Sequence, residues 1–341
     1  MTHKRTAAKL RWAQPKTRLA QLFACLMLLA VFPREAGSGT PRVHLFPKLQ
    51  AGQIIDYQIS LRSTRQTKTQ SNIVMAEAPG DATVDVQGLL RMEVLGVESQ
   101  GQRAIIHARA WFPSPDSEAK AKIPPAQPQV QAPQQNPNGV SIEFTIFPDG
   151  TIDPGKGADA LSPDQQQAFR QWASRFIAAA AFPEGGIKTT QKWKSEEIEK
   201  SPSPIARLAW TRESAYVRNE PCRPMRMTLQ GDLQESDLPP ETCAVVLTTA
   251  TLKQQSPPKD TTPDDFRLRQ LRTSGTARGN NKTITYISLK TGLVVRASDE
   301  ADQAMAVTIA KADGTNRVHY DVHAKSSAEI LLVAAAPQKN P

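Results

Sequence analysis

Apolar and polar residues alternate along most of this chain, and a period of two predicts half-buried β-strands. The clearest runs are "IIDYQISL" (54–61), "VDVQGLLRMEVLGV" (84–97) and "RAIIHARAWF" (103–112), the last two separated by the turn-like "ESQGQ". "VSIEFTIFPDGTID" resumes the alternation, with a turn at Pro148–Asp149–Gly150. "IARLAWTRESAYVR" (205–218) and "CAVVLTTATLKQ" (243–254) follow. "FRLRQLRTSGTARG" (266–279) reads as a strand whose Arg267, Arg269, Arg272 and Arg278 form a solvated face, an anion- or headgroup-contacting stripe being the alternative. The rest reads as a meander. "TITYISL" turns at Lys290–Thr291–Gly292 into "LVVRAS". "QAMAVTIAKA" turns at Asp313–Gly314 into "NRVHYDVHAK", and "AEILLVAAA" closes the chain. Short turns between consecutive strands imply antiparallel pairing.

The period changes once. In "LSPDQQQAFRQWASRFIAAAAFPEGG", Phe169, Trp172, Ala173, Phe176, Ile177 and Ala180 share one helical face. Ser162 caps the start, Pro163 suits the first turn, and Gln165 completes a capping box. Pro183 and Gly185–Gly186 end the run, which predicts a helix over about 163–181. Its aromatic stripe packs a core against a sheet in the plainest reading. In the sharper one, Phe169, Trp172 and Phe176 wall a cavity and bind a ligand. "PSPDSEAKAKIPPAQPQVQAPQQNPNG" (113–139) has no period and is rich in Pro and Gln. Such a composition buries too little apolar surface to offset its ordering entropy, and predicts a disordered insertion.

The amino terminus changes the picture of where the chain works. Lys4, Arg5, Lys9, Arg11, Lys16 and Arg18 precede an apolar run from Leu22 to Phe32, and "PREAGSGTP" follows. A basic region, a short apolar region and a small-residue exit describe a signal peptide. The run is shorter than the ~20 residues of a membrane-spanning helix. Cleavage is expected after Ser38, with Ala36 as the alternative, and the other possibility is an uncleaved anchor. No other segment is apolar enough to cross a bilayer, so the mature chain is expected to lack a transmembrane segment. Removing residues 1–38 takes away seven bases and one acid, so 42 − 7 = 35 bases face 33 − 1 = 32 acids, and the net charge falls from +9 to +3. The basic balance therefore belongs largely to the leader and gives no reason to expect nucleic acid as a partner. An exported chain left with Cys222 and Cys243 is expected to join them in a disulfide.

Candidate chemistry is sparse. "NRVHYDVHAK" holds His319, Asp321 and His323, which alternate with Val318, Tyr320, Val322 and Ala324. On a strand the first set shares one face and the second the other. The two histidines stand four residues apart, about 13 Å along a strand, too far to reach one ion easily at ~2.1 Å. A wet strand face is the expectation, not a metal site. No G-x-S-x-G, H-E-x-x-H, Walker loop, G-x-G-x-x-G or Cys-x-x-Cys occurs, so no catalytic residue and no cofactor is indicated. Glu196 and Glu197 alternate with lysines in "QKWKSEEIEK" and read as a solvated segment.

The order of signal peptide, first strand "LQAGQIIDYQI", long strands, one amphipathic helix and a meander ending in "AEILLV" resembles that of LolA-like envelope proteins over most of 44–334. The resemblance implies a half-open β-barrel that wraps helices around a hydrophobic cavity. The expected fold is mainly β with one packed helix (α+β), a curved antiparallel sheet or half-barrel, over residues 39–334 with a flexible tail at 335–341. The expected role is that of an exported, non-catalytic binding protein, periplasmic or extracellular, holding an apolar or lipidic ligand between sheet and helix. A structural or protein-interaction envelope component, or an unrecognised hydrolase, is the alternative.

Overall fold

The computed structural model describes residues 41–72, 80–100, 103–112, 140–147, 152–161, 169, 182–183, 185–198, 203–228, 232–255 and 262–334. The leader, the insertion at 113–139, the tail and the expected helix at 163–181, Phe169 excepted, lie outside the described residues. The described residues from Arg42 onward fall in one compact unit.

That unit is built on one sheet. Its strands are β1 (Ile54–Ser71), β2 (Ala82–Gln100), β3 (Arg103–Phe112), β4 (Val140–Ile146), β5 (Ile152–Pro154), β6 (Lys192–Ile198), β7 (Leu208–Cys222), β8 (Met225–Met227), β9 (Leu233–Glu235), β10 (Glu241–Gln254), β11 (Leu271–Ser288), β12 (Val294–Lys311) and β13 (Val318–Val333). They lie in the order β5-β4-β3-β2-β1-β13-β12-β11-β10-β7-β6, and every neighbouring pair on this path is antiparallel. β8 and β9 form a small hairpin beside the end of β13, where Val333 meets Met225 in a parallel contact. Among the described residues β5 and β6 remain the two edges, so the sheet is open. A mainly antiparallel β fold and a C-terminal meander β11–β13 agree with the alternation in the sequence.

One face carries the core. On β1 it presents Ile55, Tyr57, Ile59 and Leu61, and on β2 Leu90, Met92 and Val94, all buried. Neighbouring strands add Ile106, Ala108 and Ala110, then Ile142, Phe144 and Ile146, and on β13 Ala328 and Ile330. Leu45, Leu49, Leu161, Phe182 and Ile187, from segments outside the long strands, belong to the same cluster. Val43 and Ile187 hold two of these segments together by a pair of backbone hydrogen bonds of 2.8 and 2.9 Å. Burial of a side chain such as Leu61 stabilises by roughly 1.5–3 kcal/mol. Tyr57 is wholly buried, and desolvation pushes its phenol far above the usual value, so it stays protonated.

Several sequence expectations change. The run 54–61 is only the first half of β1, which continues through the polar "RSTRQTKTQS" paired to β13. "LVVRAS" and "QAMAVTIAKA" are one strand, β12, and "NRVHYDVHAK" and "AEILLVAAA" are one strand, β13. Their polar middles interrupt the apolar pattern without interrupting the hydrogen-bond ladder. The stretch 266–279 is not one strand: Asp264–Leu268 form a short helix, α1, and Gln270 turns the chain with φ 55° before β11 begins. Of its arginines, Arg267 lies on α1 beside Asp264 at 3.6 Å, whereas Arg272 and Arg278 lie on β11. "KWKSEEI", read as a solvated segment, is the edge strand β6. It puts Lys192, Lys194 and Glu196 outward and packs Trp193 against Phe182, ring centroids 5.2 Å apart. Charges on an edge discourage pairing with another chain.

Candidate functional site

The register of β1, β13, β12, β11, β10 and β7 shows how the core face is graded. Ile59, Ile330, Ala297, Thr285, Val246 and Tyr216 make one cross-strand row. Two residues further along, the row is Leu61, Ala328, Asp299, Thr283, Thr248 and Ser214, all buried. Four of those six side chains are polar. Asp299 Oδ1 accepts from Asn281 Nδ2 at 2.6 Å and Thr283 Oγ1 at 2.8 Å, and the Ser214 and Thr248 hydroxyls lie 2.9 Å apart. Beyond this belt the face becomes apolar again, in a smaller cluster of Ile205, Leu208, Trp210, Ala250, Leu252 and Val307. Gly279 faces this second cluster, with a Cβ position only 3.2 Å from the Trp210 ring. A polar belt thus separates two apolar clusters on one face, and its internal hydrogen bonds offset the cost of burying it.

The opposite face of the same strands is mostly polar. Ser60, Glu329, Ser298 and Ile284 form one row. The next is Arg62, Ser327, Glu300, Lys282 and Thr249, and a third is Thr64, Lys325, Asp302, Asn280 and Thr251. These rows line two adjoining hollows of about 380 and 690 Å³, which share Lys282, Glu300 and Ser327. Asp302 is already engaged, at 2.9 Å from His323 Nε2 and 3.9 Å from Lys325 Nζ, and Arg62 reaches Asp85 at 3.7 Å. Lys282 and Glu300 stand directly opposite one another on β11 and β12, yet neither has an ion-pair partner among the described residues. No single segment reveals this trough. Its side chains come from five strands, and each strand alone looks like a solvated face. Only the register brings them together.

The histidines noticed in the sequence lie on this polar face, above the trough. Val318, Tyr320, Val322 and Ala324 take the other face, as the alternation implies. His319 is held by the Thr308 hydroxyl at 2.9 Å and Asp321 at 3.3 Å, while His323 turns to Asp302. Each ring has its own partners, and among the described residues no group of three or more metal-ligating side chains converges.

Of the three aromatic residues expected to bind a ligand, Phe169 is described. It is buried and packs edge-on to Phe144, with ring centroids 5.6 Å apart. Trp172 and Phe176 lie outside the described residues. Cys222 and Cys243 form the expected disulfide, with Cα atoms 5.8 Å apart. It ties the end of β7 to the start of β10 and closes off the β8–β9 hairpin. No helix among the described residues is long and apolar enough to cross a membrane.

No protein-family model matches this chain, and neither does any curated protein. Among solved structures it is similar to a proposed exported protein with a YmcC-like fold from Bacteroides fragilis NCTC 9343. The two are 10% identical, with a TM-score of 0.24, over 82% of this chain and 97% of that one. A second similar structure is a proposed lipoprotein from Parabacteroides distasonis ATCC 8503, 10% identical, with a TM-score of 0.23, over 86% of this chain and 98% of that one.

Proposed function

We propose that this chain is an exported, non-catalytic binding protein of the cell envelope. The observation that carries binding is the polar trough. It is a concavity built from interior strands, with Lys282 and Glu300 facing each other in its floor and neither in an ion pair among the described residues. Export is supported by the basic-then-apolar amino terminus and by a disulfide suited to an oxidising compartment. Cell fractionation tests it. A processed chain beginning after Ser38 or Ala36 is expected outside the cytoplasm, and an unprocessed cytoplasmic chain would overturn the proposal.

A second reading places an apolar or lipidic ligand between the sheet and the helical stripe Phe169–Trp172–Phe176. The observation favouring it is the density of aromatics there in a chain with 6% aromatic residues. On this reading a fluorescent fatty acid binds the mature protein, and Trp172→Ala weakens binding more than it lowers the melting temperature. No probe binding, with a loss of about 3–5 kcal/mol of stability, would assign the stripe to the core instead. A crosslinked envelope protein with no small molecule co-purifying would point to the structural role.

A further inference from the structure

We propose that the trough binds a neutral, polyhydroxylated chain, an oligosaccharide or envelope glycan lying across the strands. The inference deepens the binding-protein reading and rests on it. Three features of the trough select this chemistry.

The first is charge. In the larger hollow Arg62, Lys282 and Lys325 face Glu300 and Asp302, so the lining sums to 3 − 2 = +1. Phosphate backbones and anionic membranes are recognised by an excess of cations, which is lacking here. The second is polarity. Ser60, Thr64, Thr249, Thr251, Ser298 and Ser327 bring hydroxyls, Asn280 an amide, and Ile284 is the one large apolar residue of the lining. An acyl chain would find no large apolar side chain besides Ile284 to bury against. A sugar hydroxyl both donates and accepts, so it can give to Glu300 and receive from Lys282 at the same time. Bonds to charged groups are the stronger kind. The third is topology. β1, β13, β12, β11 and β10 are all paired on both sides, so no backbone edge is open in the trough. A peptide adding itself as a strand has no place there, and recognition falls to side chains. From Arg62 on β1 to Thr249 on β10 are four strand-to-strand steps, about 19 Å at ~4.8 Å each. That length suits an extended chain of several sugar rings better than a single small molecule.

The experiment is an array of immobilised neutral oligosaccharides of varied linkage and length, probed with the mature disulfide-bonded protein, followed by titration of the hits. Inorganic phosphate and phosphatidylglycerol vesicles serve as comparison probes. At least one neutral oligosaccharide is expected to bind, longer chains more tightly than disaccharides. Lys282→Ala and Glu300→Gln are expected to weaken binding about tenfold or more, as the loss of one charge-assisted hydrogen bond implies. Both residues are exposed, so their melting temperatures should match the wild type, and Lys311→Ala, outside the trough, should bind normally. No bound glycan, glycan binding that survives both substitutions, or binding of phosphate or vesicles alone would overturn the inference. Failure here with a fatty acid or a protein partner bound elsewhere would leave the broader binding role standing, whereas failure of export would remove both.

Discussion

Asp299 shows how one residue can serve opposite demands. It sits on the core face of β12, 3% exposed, between Ala297 and Ala301, and in sequence it looks like one more acid in "SDEADQ". Its partners explain its tolerance: Asn281 and Thr283 both direct donors at Oδ1. Asp299→Ala removes the acceptor that both donors share, which costs about 1–3 kcal/mol, whereas Asp299→Asn keeps an acceptor and should cost less. Urea unfolding checks this. The Ala variant is expected to lower the midpoint with an unchanged slope. An Ala variant as stable as the wild type would show that the belt contributes nothing. Glu300, the next residue, projects to the other face and into the trough. The change of side is a matter of strand parity alone.

At the level of elements, the long strands depend on small devices. Gly275 on β11 is one, because a Cβ there would lie 2.2 Å from the Ala306 carbonyl oxygen and 2.7 Å from Val307 Cα on β12. Gly292 is another, with φ 71° in the β11–β12 turn and its Cβ position 2.2 Å from the Phe46 carbonyl oxygen. The Cys222–Cys243 bridge is the third, joining residues 21 apart in sequence. Restricting a loop of that size in the unfolded chain should be worth about 3 kcal/mol. The double variant Cys222→Ala, Cys243→Ala is therefore expected to melt at a clearly lower temperature while keeping its β-sheet circular dichroism. A melting temperature equal to that of the wild type would show that the bridge is dispensable. The β8–β9 hairpin that the bridge closes off is anchored beside β13 by the Ala334 N–H, which donates to the Met225 carbonyl at 2.6 Å.

For the whole molecule, the decisive event is the return of the last strand to the first. β13 pairs with β12 on one side and with β1 on the other, from Asp56↔Val333 to Ser71↔Val318. It joins the sheet's β5–β1 portion to its β12–β6 portion. Truncation after Gly314 removes it and opens two long edges, both prone to aggregation. Such a chain is expected to be insoluble or to lack a cooperative thermal transition. A soluble, cooperatively melting product would show that the two portions fold independently. The trough has the same origin, because Ser327 and Lys325 on β13 sit between Arg62 and Thr64 on β1 and Glu300 and Asp302 on β12.

Local pattern was enough to set a mainly antiparallel β fold, the meander of β11–β13, the faces of β13 and the pairing of Cys222 with Cys243. Each depends on residues near in sequence, or on the third cysteine, Cys25, lying in the expected leader. The lower half of β1, the continuity of β12 and β13 and the edge strand β6 were hidden, because polar strands are held by backbone ladders and carry no apolar rhythm. The pairings of β1 with β13, which bring Arg62 and Thr64 into the trough, belong to the tertiary structure alone. They arise from contacts more than two hundred residues apart, where a register decides which side chains share a face and no local signal records it.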